Sequence, residues 1–366
     1  MGECWLSFLL LQSKDSGNPE KCIIFAAKWI CFMRETDFDT IISILEANSA
    51  VYKRYDDAVI INDDALNALK LFPDNSISLI LTDPPYHSTK KENIVNDKSF
   101  KTDYDFLDWM EQFAVQWKRV LRPNGCGYMF CSSAMEAQLE IMLSKYFNVL
   151  AHITWTKPNE PGYDGWKGKM KKEALRQWYP HSERIIFFES SEEGNLNRSS
   201  FGNLLKSYRK RCNLTCNQLT GLIGAYGKVN HGGAVCNWES GRNIPDRDQY
   251  QKMSDVFQEI GGLALPPYED TIRPFMVNAQ VEFTDIWTFP SVKQYRGKHP
   301  AEKPLLLLEH CVKSSCYEGD IVLDCFAGSG NTLMAARDCG RLSIGIEIDG
   351  NWVQRIEDRL GYSTIF

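Results

Sequence analysis

The chain has 366 residues, longer than one average domain, and its 43% hydrophobic content is ample for at least one large buried core. A formal net charge of −6 excludes a molecule coated in basic charge, although a nucleic-acid binder needs only a local basic face. The twelve cysteines occur singly, with no C-x-x-C pair and no histidine at zinc-finger spacing, so they read as free thiols of a reducing cytoplasm, and no metal is expected.

Residues 1–32 receive no function. Their apolar runs, Trp5 to Leu11 and Cys22 to Phe32, fall short of the ~18 residues that cross a bilayer. Met1-Gly2-Glu3 lacks the basic start of a signal peptide, and Met33 is an alternative beginning. From Ala58 the pattern becomes that of an α/β protein. A strand Ala58 to Ile61 is followed by a polar break at Asn62-Asp63-Asp64 and a helical stretch through Leu71, then a strand Ser76 to Thr82. An amphipathic helix spans Phe106 to Val120 and ends at Arg122-Pro-Asn-Gly125, with a short strand Gly127 to Cys131 beyond it. Strands Val149 to Thr156 and Arg184 to Glu189 flank a loop from Lys157 to Pro180. Helical patterns replace strands between about Asn195 and Pro267, which reads as an inserted module. From Ile286 a loop leads to Lys303-Pro304, a helix through Val312, a strand Ile321 to Cys325, a glycine turn, a helix Asn331 to Cys339 and a strand Leu342 to Ile348. This alternation predicts a parallel, doubly wound sheet.

Two segments carry the chemistry. Asp83-Pro84-Pro85-Tyr86 follows an apolar strand and so sits at its carboxyl end, where open α/β sheets bind ligands. An exocyclic amine is a poor nucleophile because its lone pair is delocalised into the ring. The Asp83 carboxylate and the Pro84 carbonyl can accept its hydrogens and free that lone pair, two prolines stiffen the turn, and Tyr86 offers a face for an extruded base. The second segment, Asp324-Cys-Phe326-Ala-Gly328-Ser-Gly330-Asn331-Thr332, also follows a strand and opens a helix. Its glycines let the backbone approach a ligand, and it is neither a dinucleotide fingerprint nor a phosphate loop. Glu347, at the end of the next strand, suits ribose hydroxyls.

Together these segments resemble the amino-methylating DNA methyltransferases, in the permuted group whose catalytic motif precedes the cofactor motif. Asp83 to Tyr86 matches the catalytic motif, and Phe326-Ala-Gly-Ser-Gly330 the methionine-binding loop. His299-Pro-Ala-Glu-Lys303-Pro304 looks like the element before that loop, and Leu121 to Gly125, Trp155 to Pro161 and His181-Ser-Glu183 look like the intermediate motifs. The resemblance implies a doubly wound Rossmann-like sheet and S-adenosylmethionine as cofactor. Asp64 would meet the adenine amine, with Asp63 its nearest competitor, and Glu347 the ribose. Lys303, Asp324, Phe326, Gly328, Gly330, Asn331 and Thr332 would complete the cofactor site. Aspartate at the head of the motif favours adenine N6 over cytosine N4, and the nitrogen attacks the methyl group directly, without a cysteine nucleophile.

Leu214 to Gly224 with Gly233 to Pro245 resembles the phage-repressor helix-turn-helix. Thr215 would cap the first helix, Leu219, Leu222 and Ile223 would pack inward with Val235 and Trp238, and Asn230, His231 and Asn237 would face a major groove. The connection Ala225 to Asn237 is about five residues longer than usual, and Gly232-Gly233 supplies no base-reading side chain. Basic residues cluster at Lys167, Lys169, Lys171, Lys172 and Arg176, interleaved with Trp166, Trp178 and Tyr179, and again at Lys206, Arg209, Lys210 and Arg211, as candidate phosphate contacts.

The expected organisation is a catalytic domain of residues 33–194 and 268–366, interrupted by a module of residues 195–267 that belongs to the target-recognition region. The expected activity is methylation of adenine N6 in double-stranded DNA after base flipping, in the cytoplasm, with no membrane contact; a homodimer is left open. N4-cytosine methylation is the first alternative. The second is a DNA-binding regulator on an inactive methylase scaffold.

Overall fold

The computed structural model describes residues 37–87, 100–158, 171–176, 178, 181–190, 199–225, 233–276 and 283–362. Residues 1–32, Lys167, Lys169, Trp166, Tyr179, Asn230 and His231 lie outside them. Nine strands are described: β1 (Tyr52–Arg54), β2 (Ala58–Ile61), β3 (Ile77–Thr82), β4 (Leu121–Cys131), β5 (Phe147–Thr156), β6 (Ser182–Ser190), β7 (Ile286–Thr288), β8 (Ile321–Asp324) and β9 (Leu342–Ile346). They form one sheet in the order β1-β2-β9-β8-β3-β4-β6-β5-β7. The central strands β2, β9, β8, β3 and β4 run parallel. β2, β3 and β8 are buried at every position, as unbroken apolar runs covered by helices on both faces require. One face packs on the helix Asp103–Val120 through Phe113 and Trp117, the other on Leu305–Ser315 through Leu307 and Cys311.

The parallel expectation fails at β6, which runs antiparallel to both β4 and β5. Between β5 and β6 the described residues contain only a single 3-10 turn, Lys172–Ala174, and a parallel return would need a crossover helix. β1 adds an antiparallel edge. β7 was expected as loop, because three residues are too few to show alternation. The helix expected from Phe106 starts at Asp103, where Thr102 and Asp105 form a reciprocal capping box. Arg122-Pro-Asn-Gly125 is no turn. Leu121 pairs with Ile77 and Cys126 with Leu79, so these four residues bulge out of one long strand, where a proline is tolerated. Residues 37–47 and Gly350–Tyr362 add helices the sequence pattern did not predict. No helix among the described residues is long and apolar enough to cross a membrane.

Helices Ser200–Arg211, Cys216–Leu222, Gly233–Glu239, Arg247–Gly261 and Tyr268–Thr271 surround a core of their own, with Phe201, Leu205, Leu219, Val235, Trp238, Met253 and Phe257 buried in it. Thr215 caps Cys216–Leu222 through a box with Gln218, as expected. Leu219 and Ile223 point inward, but Leu222 is 57% exposed, because it falls off the stripe that the i, i+4 pair defines. Four hydrogen bonds tie the module and the segment after it to one edge of the sheet. Asn124 donates to the Glu269 carbonyl (2.8 Å), Arg273 to Glu189 (3.2 Å), Tyr317 to the Ile272 carbonyl (3.0 Å), and the Met276 amide to the Ser314 carbonyl (3.0 Å). These contacts gather where β4 and β8 begin and the antiparallel β6 ends.

Candidate active site

At the opposite edge, the carboxyl ends of β2, β9, β8 and β3 stand side by side. The residues that follow them are Asp64, Glu347, the loop Phe326 to Gly330, and Asp83. At roughly 4.8 Å between strands the row spans about 15 Å. Its last two members are braced together. Thr82 Oγ1 donates to Asp324 Oδ1 (3.0 Å), which also accepts the Phe326 amide (3.0 Å). Asp324 is 3% exposed, and burial pushes its carboxyl up to about 6 against those bonds and one from Thr332. Asp324 and Thr332 therefore hold the loop from behind. Asn331 is also turned inward: its amide donates to Glu302 Oε1 (3.1 Å) and the Lys303 carbonyl (2.7 Å), and it accepts from Arg359 (2.6 Å). It binds the His299–Pro304 segment to the loop.

The loop's shape depends on glycine. Gly328 has φ +50° and is buried, and a Cβ there would come within 3.2 Å of the His299 ring. Its amide donates to Glu347 Oε2 (2.8 Å), whose other oxygen accepts the Asp349 amide (2.9 Å), and burial raises the Glu347 carboxyl. Phe326 packs on Trp109 and Phe113, at ring distances of 5.8 and 5.1 Å. Asp64 caps the helix Ala65–Leu69 by accepting the Leu66 amide (2.9 Å).

Asp83 is held from one side. Lys303 Nζ lies 2.5 Å from its Oδ2, while Oδ1 is buried without a hydrogen-bond partner among the described residues. Burial pushes the Asp83 carboxyl up against the pull of Lys303. Lys303 also faces Glu183 (3.4 Å), and those two carboxylates outweigh its burial and keep it charged. Glu183 receives Lys157 (2.8 Å) and the Tyr86 hydroxyl (3.1 Å). Burial would raise Glu183, but Lys303 and Lys157 prevail and hold it at about 2. Lys303 thus lies beneath Asp83 rather than in the cofactor row, 5.2 Å from the centre of the Tyr86 ring. Glu183 and Lys157 were not read as site residues. The available signal was an acid near the start of a strand whose middle residues, Ile185 to Phe188, are buried and apolar.

Of the basic residues expected at DNA, Lys171 and Arg176 are exposed on the segment joining the catalytic-edge ends of β5 and β6, with Trp178 96% exposed beside them. Lys172 lies in the 3-10 turn there. Lys210 is exposed and Asn237 half-buried in the helical module. Arg209 is not presented to a phosphate: Nε and Nη2 bind Glu239 at 2.5 and 2.9 Å, and Nη1 the Leu214 carbonyl at 2.6 Å.

Residues 77–358 match the family described as DNA methylase. The chain is 26% identical over 299 residues to the DNA adenine methyltransferase YhdJ of Escherichia coli, covering 81% of this chain and 80% of that protein. It is 42% identical over 300 residues to the type II methyltransferase M2.MboI of Moraxella bovis, covering 78% and 80%. Among solved structures it is similar to the PvuII DNA methyltransferase (cytosine-N4-specific), at 16% identity and a TM-score of 0.49, over 83% of this chain and 86% of that one. With seven of the nine described strands inside the matched span, the chain belongs to the DNA methylase family.

Proposed function

We propose that the chain methylates the exocyclic N6 of adenine in double-stranded DNA, with S-adenosylmethionine as donor and the cytoplasm as its setting. The observation that carries this reading is Asp83, whose Oδ1 is buried without a hydrogen-bond partner among the described residues, at the end of the strand next to the one that opens the glycine loop. The strand-end row fits the cofactor: Asp64 for the adenine amine, Glu347 for the ribose, and the loop through Phe326 and Gly328 for the methionine part. Asp324, Asn331 and Thr332 brace the loop through their own hydrogen bonds. The order of these parts is that of the permuted group, with the acceptor site on β3 and the donor site on β8.

Base entry is favoured by the Tyr86 ring, whose hydroxyl is fixed by Glu183. Asp83 Oδ1 and the Pro84 carbonyl accept the two amine hydrogens and draw the nitrogen toward tetrahedral geometry. S-adenosylmethionine supplies an electrophilic methyl on a charged sulfur, so that a nitrogen–carbon bond forms as a sulfur–carbon bond breaks. Asp83 takes the proton the nitrogen sheds, and Lys303 on Oδ2 steadies its charge between turnovers. Lys171, Arg176 and Trp178, at the rim of the crevice, are the proposed target-side contacts, with the tryptophan available to stack or wedge. The helical module is read as a DNA-binding helix-turn-helix, in which Thr215, Leu219, Val235 and Trp238 form the supporting frame.

Incubating the protein with duplex DNA and isotopically labelled S-adenosylmethionine, then digesting the DNA for mass spectrometry, tests the reading. N6-methyladenine is expected; N4-methylcytosine would move the assignment to the first alternative, and no labelled base would favour the inactive-scaffold regulator.

A further inference from the structure

The turn that carries Asp83 is held from both faces of the sheet. On one face Tyr86 packs into the cluster of Leu307 and Cys311, and Lys303 reaches Asp83 Oδ2 (2.5 Å). On the other, the next residue, His87, lies against the helix Asp103–Val120. Its ring stacks on Phe106 with centres 5.6 Å apart and stands steeply to Phe100 at 5.9 Å, and its Nε2 lies 3.0 Å from Oδ1 of Asp103, the first residue of that helix. The side chain is 15% exposed, and Nδ1 is buried without a hydrogen-bond partner among the described residues, so the packed rings and Asp103 fix it.

The same helix meets the other half of the site. Trp109 and Phe113 pack on Phe326 at 5.8 and 5.1 Å, and Trp117 Nε1 donates to Cys325 Sγ (3.3 Å). Phe106, Trp109, Phe113 and Trp117 recur at steps of three and four and therefore share one helix face. Phe100 bridges the first two, 5.3 Å from Phe106 and 5.2 Å from Trp109. From Phe106 to Phe113 the helix rises about 10 Å. Its first turn thus seats the segment after Asp83 and its later turns seat the glycine loop, so one rigid element sets the spacing between acceptor and donor. The two prolines fix the shape of the turn but not its place relative to the loop. In-line methyl transfer is sensitive to that place, because a displacement of about 1 Å can cost about 10²-fold in rate.

We infer that His87 is a positioning residue for methyl transfer, seating the Asp83–Tyr86 turn against the glycine loop through the helix Asp103–Val120; this rests on the DNA methylase reading given above. His87 touches neither the base nor the cofactor in this role. It acts through the place of Asp83.

The test compares wild type with H87A, H87F and D103A. Two quantities are measured: the single-turnover rate of methyl transfer to duplex DNA free of methylated adenine, and the calorimetric affinity for S-adenosylhomocysteine. H87A should transfer the methyl group about tenfold more slowly or worse, while its affinity stays within about twofold of wild type. H87F keeps a ring against Phe106 and should recover to within about threefold of the wild-type rate. D103A changes a side chain that is 56% exposed and so keeps the test open if H87A fails to fold. It removes only the Nε2 partner, and should slow transfer by about threefold. A wild-type rate in H87A or in D103A, an H87F as slow as H87A, or a loss in H87A that follows cofactor affinity would each overturn the inference and leave the methylase reading standing. A wild type that transfers no methyl group would overturn both.

Discussion

Lys303 Nζ lies 2.5 Å from Asp83 Oδ2 and 3.4 Å from Glu183 Oε2, so one buried ammonium serves two carboxylates. It neutralises Oδ2 of Asp83 and leaves Oδ1 buried without a hydrogen-bond partner among the described residues. Asp83→Ala should lower the rate constant of methyl transfer by about 10²–10³ or more, the loss that follows removal of a preorganised stabilising group. Cofactor affinity, measured by calorimetry, should change less than threefold. Full activity in Asp83→Ala would refute the assigned role.

Glu183→Gln removes one of the two charges that keep Lys303 protonated. The variant's Lys303 should lose its proton at lower pH than the wild type's. The alkaline limb of the rate profile should move down accordingly, with kcat reduced and the KM for cofactor little altered. An unmoved limb would confine Glu183 to holding Tyr86.

Asp324 gives a stability signature with a definite sign. Its carboxyl titrates near 3.8 when unfolded and about 6 when folded, so between those values the folded state binds more protons. Relative to Asp324→Asn, the wild type should therefore lose stability as pH rises from about 4 to about 6, by about 3 kcal/mol in all. Urea denaturation at a series of pH values measures this. A wild-type stability that rises with pH relative to Asp324→Asn, or does not change, contradicts the buried carboxyl.

Gly328→Ala places a side chain in left-handed backbone and against His299. It should cost about 1–2 kcal/mol in unfolding free energy. It should also weaken cofactor binding, because the amide that meets Glu347 must shift.

Arg209→Ala and Glu239→Ala should destabilise alike, by about 3–5 kcal/mol, since each leaves a nearly buried charge unpaired. Limited proteolysis should then cut the module first. A phosphate contact at Arg209 would instead weaken DNA binding without an equivalent effect at Glu239.

Much of this was legible in the sequence because its physics is local. An unbroken apolar run followed by Asp-Pro-Pro-Tyr, and another followed by a glycine loop, declare strand, turn and site within ten residues. What depended on partners far along the chain was not legible. The direction of β6 goes with a connection whose described residues hold no crossover helix, and β7 exists because Thr154 to Thr156 offer it an edge. Lys303 reads as part of a cofactor motif, yet its charge is claimed by Asp83, 220 positions away. The same holds for Arg209, whose surroundings in sequence are basic and whose real partner is thirty positions on.

The module leaves the sheet after Ser190 and is tied down again at Met276 on the same rim, and no strand of the sheet is drawn from it. It can therefore be exchanged as a cassette without disturbing the bond between Thr82 and Asp324.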